Sequence, residues 1–134
     1  MISTKGRYAL RVMIDLAEHG GEGYVPLKDV AKRQEISKKY LEIIVKELVN
    51  AGYVAGVSGK GGGYRLCRGA EEYCVGEILE RMEGSLATVS CLARGAEPCP
   101  RAADCQTLGL WAEYDKLTRD YFYGKRLSDL TANV

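Results

Sequence analysis

Between Tyr53 and Arg68 the chain runs YVAGV, then SGKGGG, then YRLCR. Two short β-rich runs flank a loop carrying four glycines, the pattern of a β-hairpin with a compliant tip. The residues before it read as helices. Leu41, Ile44, Val45, Leu48 and Val49 recur at i, i+3, i+4, i+7 and i+8, which predicts a helix capped by Ser37 and ended by NAG. Ala9, Val12, Met13, Leu16 and Ala17 repeat the same five-place face in an earlier helix, about Thr4 to His19, with Ser3 or Thr4 as N-cap and GGEG as its stop. Between the two, VPLKDVAKRQ predicts a short helix starting just after Pro26, and EIS turns the chain into the next one.

On the third helix Lys38, Lys39, Glu42 and Lys46 point away from the apolar face, with Tyr40 beside them. Two short helices joined by a tight turn, the second with a basic outer face, have the layout of a helix-turn-helix. A helical hairpin with a solvated face shares that pattern, but a hairpin following at once adds a wing. The fold class expected is therefore mainly α with a small β-hairpin wing: a winged helix-turn-helix plus a long C-terminal dimerisation helix. Consecutive glycines at the tip let backbone N–H groups approach a phosphate, and Lys60 adds a cation. Charge follows the same division. Residues 1–70 hold twelve Lys/Arg against seven Asp/Glu, and residues 71–134 hold seven against eleven.

Past the wing, Val75, Ile78, Leu79 and Met82 mark a fourth helix, and a loose segment runs through Ser90. A final helix is expected from about Gln106 to Tyr123. Its Leu110, Tyr114, Leu117 and Tyr121 alternate four and three residues apart, with Trp111 alongside. Such a seam suits a homodimer interface, the alternative being that it packs back on its own domain. RLSDLTANV closes the chain with a short capped element starting near Ser128. The expected division is residues 1–83 for DNA binding, 84–105 for a cysteine-bearing sensor loop, and 106–134 for dimerisation and the C-terminal element. No stretch is long enough to span a membrane and the N-terminus lacks the apolar run of an export signal, so a cytoplasmic protein without a membrane partner is expected. One histidine, no phosphate loop and no C-x-x-C motif leave an enzyme reading without support.

Cys91, Cys99 and Cys105 are spaced C-x7-C-x5-C on a Gly- and Pro-bearing loop. An odd total of five cysteines argues against a disulfide framework. Three uses compete for the loop: an iron–sulfur cluster with a fourth ligand such as Asp104, another carboxylate, a small thiol or water; a metal-free thiol switch tuned by Arg94 and Arg101; or a zinc ion with an outside ligand. Cys67 and Cys74 read as small core residues, and His19 as a surface residue at a helix C-terminus.

Taken in order, STKGRYALRVMIDLA, ISKKYLE, GKGGGYRL and the cysteine loop make the chain resemble the IscR/CymR/NsrR-type winged-helix transcription regulators of bacteria. The resemblance implies a repressor-type homodimer on a partly palindromic double-stranded DNA operator. Some such regulators sense through an iron–sulfur cluster (2Fe–2S or 4Fe–4S), while others lack the cysteines and act through a partner protein. It places Ser37, Lys39, Tyr40 and Glu42 at the major groove, with Glu42 at the position of a selectivity glutamate; Lys5, Lys38, Ser58, Lys60, Gly61 and Gly62 are expected at the DNA beside them. It favours Cys91, Cys99 and Cys105 as cluster ligands, and a homodimer agrees with the seam of Leu110, Trp111, Tyr114, Leu117 and Tyr121 as the dimer contacts. Ser58 stands where related wings often carry arginine. Leu108 and Arg7 stand where relatives carry a histidine or aspartate fourth ligand. Because the loop leads straight into the final helix, ordering it is expected to reset the spacing of the two recognition helices.

Overall fold

The computed structural model describes residues 2–21 and 23–132. Five α-helices and one hairpin follow in the order α1 (Thr4–His19), α2 (Leu27–Gln34), α3 (Lys38–Asn50), β1 (Val54–Val57), β2 (Gly63–Leu66), α4 (Val75–Glu83) and α5 (Leu108–Tyr123). Short 3-10 turns lie at Ala70–Glu72, Ser90–Leu92 and Leu127–Leu130. No described helix is long and apolar enough to cross a membrane.

The helix faces read from periodicity form one core. Ala9, Val12, Met13 and Leu16 of α1 meet Val30, Ile36, Leu41, Ile44, Val45 and Leu48 with almost no exposure. Each large aliphatic side chain buried this way stabilises by about 1.5–3 kcal/mol. Val49, expected on that face, is instead 38% exposed, because it lies at the rim of the helix toward the wing. The Ser37 hydroxyl accepts the Tyr40 N–H at 3.1 Å and caps α3 as expected. At α1 the cap differs from expectation. Ser3 has no side-chain cap bond, and its N–H and hydroxyl donate to the Glu83 carboxylate at 2.9 and 2.8 Å. That carboxylate, from the last residue of α4, lies at the positive end of the α1 dipole.

Asp15 sets the angle between α1 and α2. Its side chain is fully buried, and Arg33 grips it with a fork at 2.7 and 3.0 Å. Gln34 donates to the same carboxylate at 3.0 Å, and its own carbonyl groups accept from Arg11.

In the wing, Val54 pairs with Leu66 and Val57 with Gly63 in an antiparallel register. Val25, just ahead of α2, adds a bridge through two backbone bonds with Tyr64 of 2.8 and 2.9 Å. Gly63 sits at φ +149, where a Cβ would strike the Val25 carbonyl, so glycine is needed for this bridge. Tyr73, 1% exposed, ties off the wing's base: its hydroxyl donates to the Tyr53 carbonyl at 2.6 Å and accepts the N–H groups of Cys67 and Arg68. Burial outweighs the two accepted N–H bonds, which act the other way, and pushes its phenol pKa up.

After α5 the chain returns to the core, where Leu127 is fully buried against α1. The closing element spans Leu127–Leu130, one residue ahead of the expected start, and residues 133–134 of the expected segment lie outside the described residues. Cys74 is buried as expected, but Cys67 is exposed because β2 ends at Leu66.

The Asp15 carboxyl is raised by burial, yet the Arg33 and Gln34 hydrogen bonds and the Arg33 charge outweigh this and hold its pKa below the ordinary range. A depressed folded pKa contributes stability above the unfolded value of about 3.9 that disappears as pH falls through the folded value. Arg33→Ala should cost about 3 kcal/mol near neutral pH in urea unfolding, since it strands a buried carboxylate. That loss should shrink as the pH is lowered toward and below 4.

Candidate nucleic-acid interface and cysteine loop

The outer face of α3 presents Lys38, Lys39, Glu42 and Lys46 to solvent. Tyr40 is half-buried, its ring edge-on to Tyr8 at 5.7 Å. The packing that buries Leu41, Ile44, Val45 and Leu48 leaves those polar positions no direction but outward. Between α3 and the wing runs a groove of about 430 Å³ whose walls include Glu42, Lys46, Asn50, Val57 and Ser58. Lys60 and Gly61 lie exposed on the wing tip.

Three expected contacts look different in three dimensions. Gly62 is glycine because the Val57 carbonyl occupies the place of its Cβ, so its lack of a side chain answers to the hairpin turn itself. The Ser37 hydroxyl is engaged in the α3 cap, although the residue stays exposed. Lys5 pairs with Glu47 at 2.6 Å, which ties α1 to α3 and occupies its ammonium group. The sequence reading also passed over Arg65 and Arg68, exposed cations stacked on Tyr24 at 5.1 Å and on Tyr73 at 4.6 Å. Arg65 lies in β2 and Arg68 just beyond its end, where only their place in the YRLCR run could have signalled them.

Cys91 sits in the Ser90–Leu92 turn, and Cys91, Cys99 and Cys105 are all half-buried. Cys99 and Cys105 share a cavity of about 510 Å³ with Arg101, Asp104, Gln106 and Thr107, whereas Cys91 is absent from its walls. No three His, Cys, Asp or Glu side chains come together in a metal-binding group among the described residues. The donor chemistry, three soft thiols and a nearby carboxylate, suits an iron–sulfur cluster, but the loop would have to close to gather it.

Cys105 lies just ahead of α5. A contact with the Thr107 hydroxyl at 3.4 Å lowers its thiol pKa first, followed by the backbone N–H groups of Thr107 and Leu108 and the Arg101 charge. Arg94 goes elsewhere, to Glu80 at 3.5 Å. The Glu80 carboxylate also accepts from Arg119 at 2.9 Å and from the Tyr123 hydroxyl at 3.1 Å. One side chain thus ties both the cysteine loop and α5 to α4. Thr88 adds a second tie, its N–H donating to Asp115 of α5 at 2.8 Å.

No residue of α5 is buried. Leu110, Tyr114, Leu117 and Tyr121 are 55–64% exposed and Trp111 is 36% exposed, so the seam does not pack on its own domain.

A helix-turn-helix braced on α1, with a two-stranded wing beside a lysine-rich third helix, defines the winged-helix class of DNA-binding proteins. The sequence profile of the Rrf2 family, described as "Iron-dependent Transcriptional regulator", matches residues 2–133. The chain belongs to this Rrf2 family of transcriptional regulators. It is 39% identical over 129 residues to the HTH-type transcriptional regulator IscR of Aliivibrio salmonicida, covering 96% of this chain and 76% of that protein. The structure of CymR, the global cysteine regulator of B. subtilis, superposes with a TM-score of 0.79 at 34% identity, over 100% of this chain and 98% of that one. Staphylococcus aureus CymR in an oxidised form superposes with a TM-score of 0.75 at 36% identity, over 100% of this chain and 98% of that one.

Lys39→Ala should weaken binding evenly across DNA sequences and reduce the slope of log affinity against log salt by about one. Glu42→Ala should leave that slope unchanged and relax discrimination at one base pair by about tenfold. Fluorescence anisotropy over a salt series with matched and mismatched duplexes separates the two effects.

Proposed function

We propose that this protein is a cytoplasmic, homodimeric transcription repressor that reads a partly palindromic operator, with its affinity set by the chemistry of the cysteine loop. The observation that carries the reading is the exposed lysine face of α3 beside the wing, in a chain of the Rrf2 family. In this account residues 1–83 carry the DNA contacts: Lys38, Lys39, Tyr40, Glu42, Ser58, Lys60 and Gly61 at the duplex, with Lys5, Ser37 and Gly62 supporting them. Residues 84–105 carry the sensor, and residues 106–134 the dimer contacts and closing element. Lysines suit phosphates, and a carboxylate such as Glu42 accepts from a cytosine amino group while repelling a misplaced phosphate.

Cys91, Cys99 and Cys105 would hold an iron–sulfur cluster of the 2Fe–2S or 4Fe–4S type, with Asp104, in the wall of the Cys99–Cys105 cavity, as the candidate fourth ligand. When bound, a cluster supplies a redox-labile tie across the loop. The chain's own part is mechanical: Arg94 and Thr88 pass the loop's position to Glu80 and Asp115, and so to the seating of α5. In a dimer that seating sets the separation of two recognition helices, which must meet the groove about 34 Å apart.

A second reading has an observation of its own. Cys105 is a partly exposed thiol with a lowered pKa, the character of a redox-sensitive cysteine, and S. aureus CymR is a relative solved in an oxidised form. A metal-free thiol switch on the same loop is the alternative.

Protein purified without oxygen should be brown, with iron and acid-labile sulfide in matched amounts per chain. Colourless protein that stays metal-free after reconstitution would leave the DNA reading in place and favour the thiol switch. Leu117→Glu, which puts a charge in the middle of the α5 seam, should give a folded monomer in sedimentation and weaken operator binding more than tenfold.

A further inference from the structure

The large hydrophobic side chains left exposed among the described residues fall into two groups, apart from Leu130. One is the α5 seam. The other is Ile43, Val49 and Val57, all on the α3–wing surface. Val49 and Val57 line the groove between α3 and the wing, which leaves Ile43 as the exposed aliphatic that stands beside the α3 lysines.

Ile43 is 55% exposed, in the middle of α3. Lys39 lies four residues before it and Lys46 three after, so all three share the outer face. Glu42, Lys46, Val49 and Asn50 line the groove toward the wing, and Ile43 is absent from its walls. Ile43 therefore takes the flank of α3 away from the wing, about 100° around the helix from Glu42. A helix laid in the major groove with its lysines toward the phosphates would direct Glu42 and Ile43 at neighbouring base pairs. Isoleucine has no hydrogen-bonding group. The one apolar feature that a base pair displays in the major groove is the C5-methyl of thymine.

On the DNA-binding reading above, we infer that Ile43 is a specificity-determining residue that packs on a thymine methyl beside the base pair read by Glu42. The pair of adjacent side chains then forms a two-position code, one polar and one apolar. Enclosing one methyl is worth about fourfold in affinity.

The test uses the full chain and a duplex selected by it from a randomised pool. Each thymine is replaced singly by deoxyuridine, which removes the methyl and leaves the pairing intact, and affinity is read by fluorescence anisotropy. One thymine in each half-site should lose about fourfold with the wild-type chain and nothing with Ile43→Ala. Ile43 is outside the core, and alanine favours the helix, so the variant should fold. Equal deoxyuridine sensitivity in both chains, or none at any thymine, would overturn the assignment of Ile43 while leaving DNA binding intact. A pool that yields no enriched sequence would overturn the sequence-reading account and this inference together.

Discussion

Asp15 is a carboxylate without access to water, and it is tolerated only because the Arg33 fork and the Gln34 amide meet it. An unpaired charge at that depth would cost several kcal/mol, so α2 has one favourable seat against α1. The turn that follows inherits that seat. Glu35 takes a left-handed conformation at φ 54, Ile36 drops into the core, and Ser37 caps α3. The direction in which α3 presents its lysines is thus traceable to a charge pair on the far side of the helix-turn-helix. The Lys5–Glu47 pair adds a second tie between α1 and α3.

Glu80 has the corresponding position at the other end. It gathers Arg119 and Tyr123 of α5 and Arg94 of the loop onto α4, and α4 packs on α1. A shift of the loop is therefore felt by α5 through side chains already in contact. α5 has no fully buried residue: its C-terminal end rests Phe122 and Tyr123 on Val75, Leu79 and Leu86, and the rest of its position depends on these few polar ties and on the return of Leu127 to the core.

Local periodicity made most of the fold legible. The five-place faces on α1 and α3 and the glycine-tipped hairpin needed no partner information to be seen. What stayed hidden was non-local. The bridge from Val25 to Tyr64, the clamp of Tyr73 and the burial of Leu127 are set by residues far away in the chain, and their own neighbours carry no sign of them. Lys5 looked like a free cation because Glu47 lies 42 residues away. Ile43 was passed over because an apolar residue just off a buried face resembles part of that face. The cysteine spacing specified the donors, but spacing cannot show whether a loop holds them together before anything binds.

The central claim is that the chemical state of the cysteine loop sets DNA affinity. The most direct test compares the affinity of one selected duplex for the full chain kept without oxygen and for the same chain after oxidation, alongside Cys91→Ala treated identically. The account predicts a change of tenfold or more between the two states of the wild-type chain, and little or none in Cys91→Ala. Equal affinity in both states of the wild-type chain, with binding otherwise tight, would contradict it.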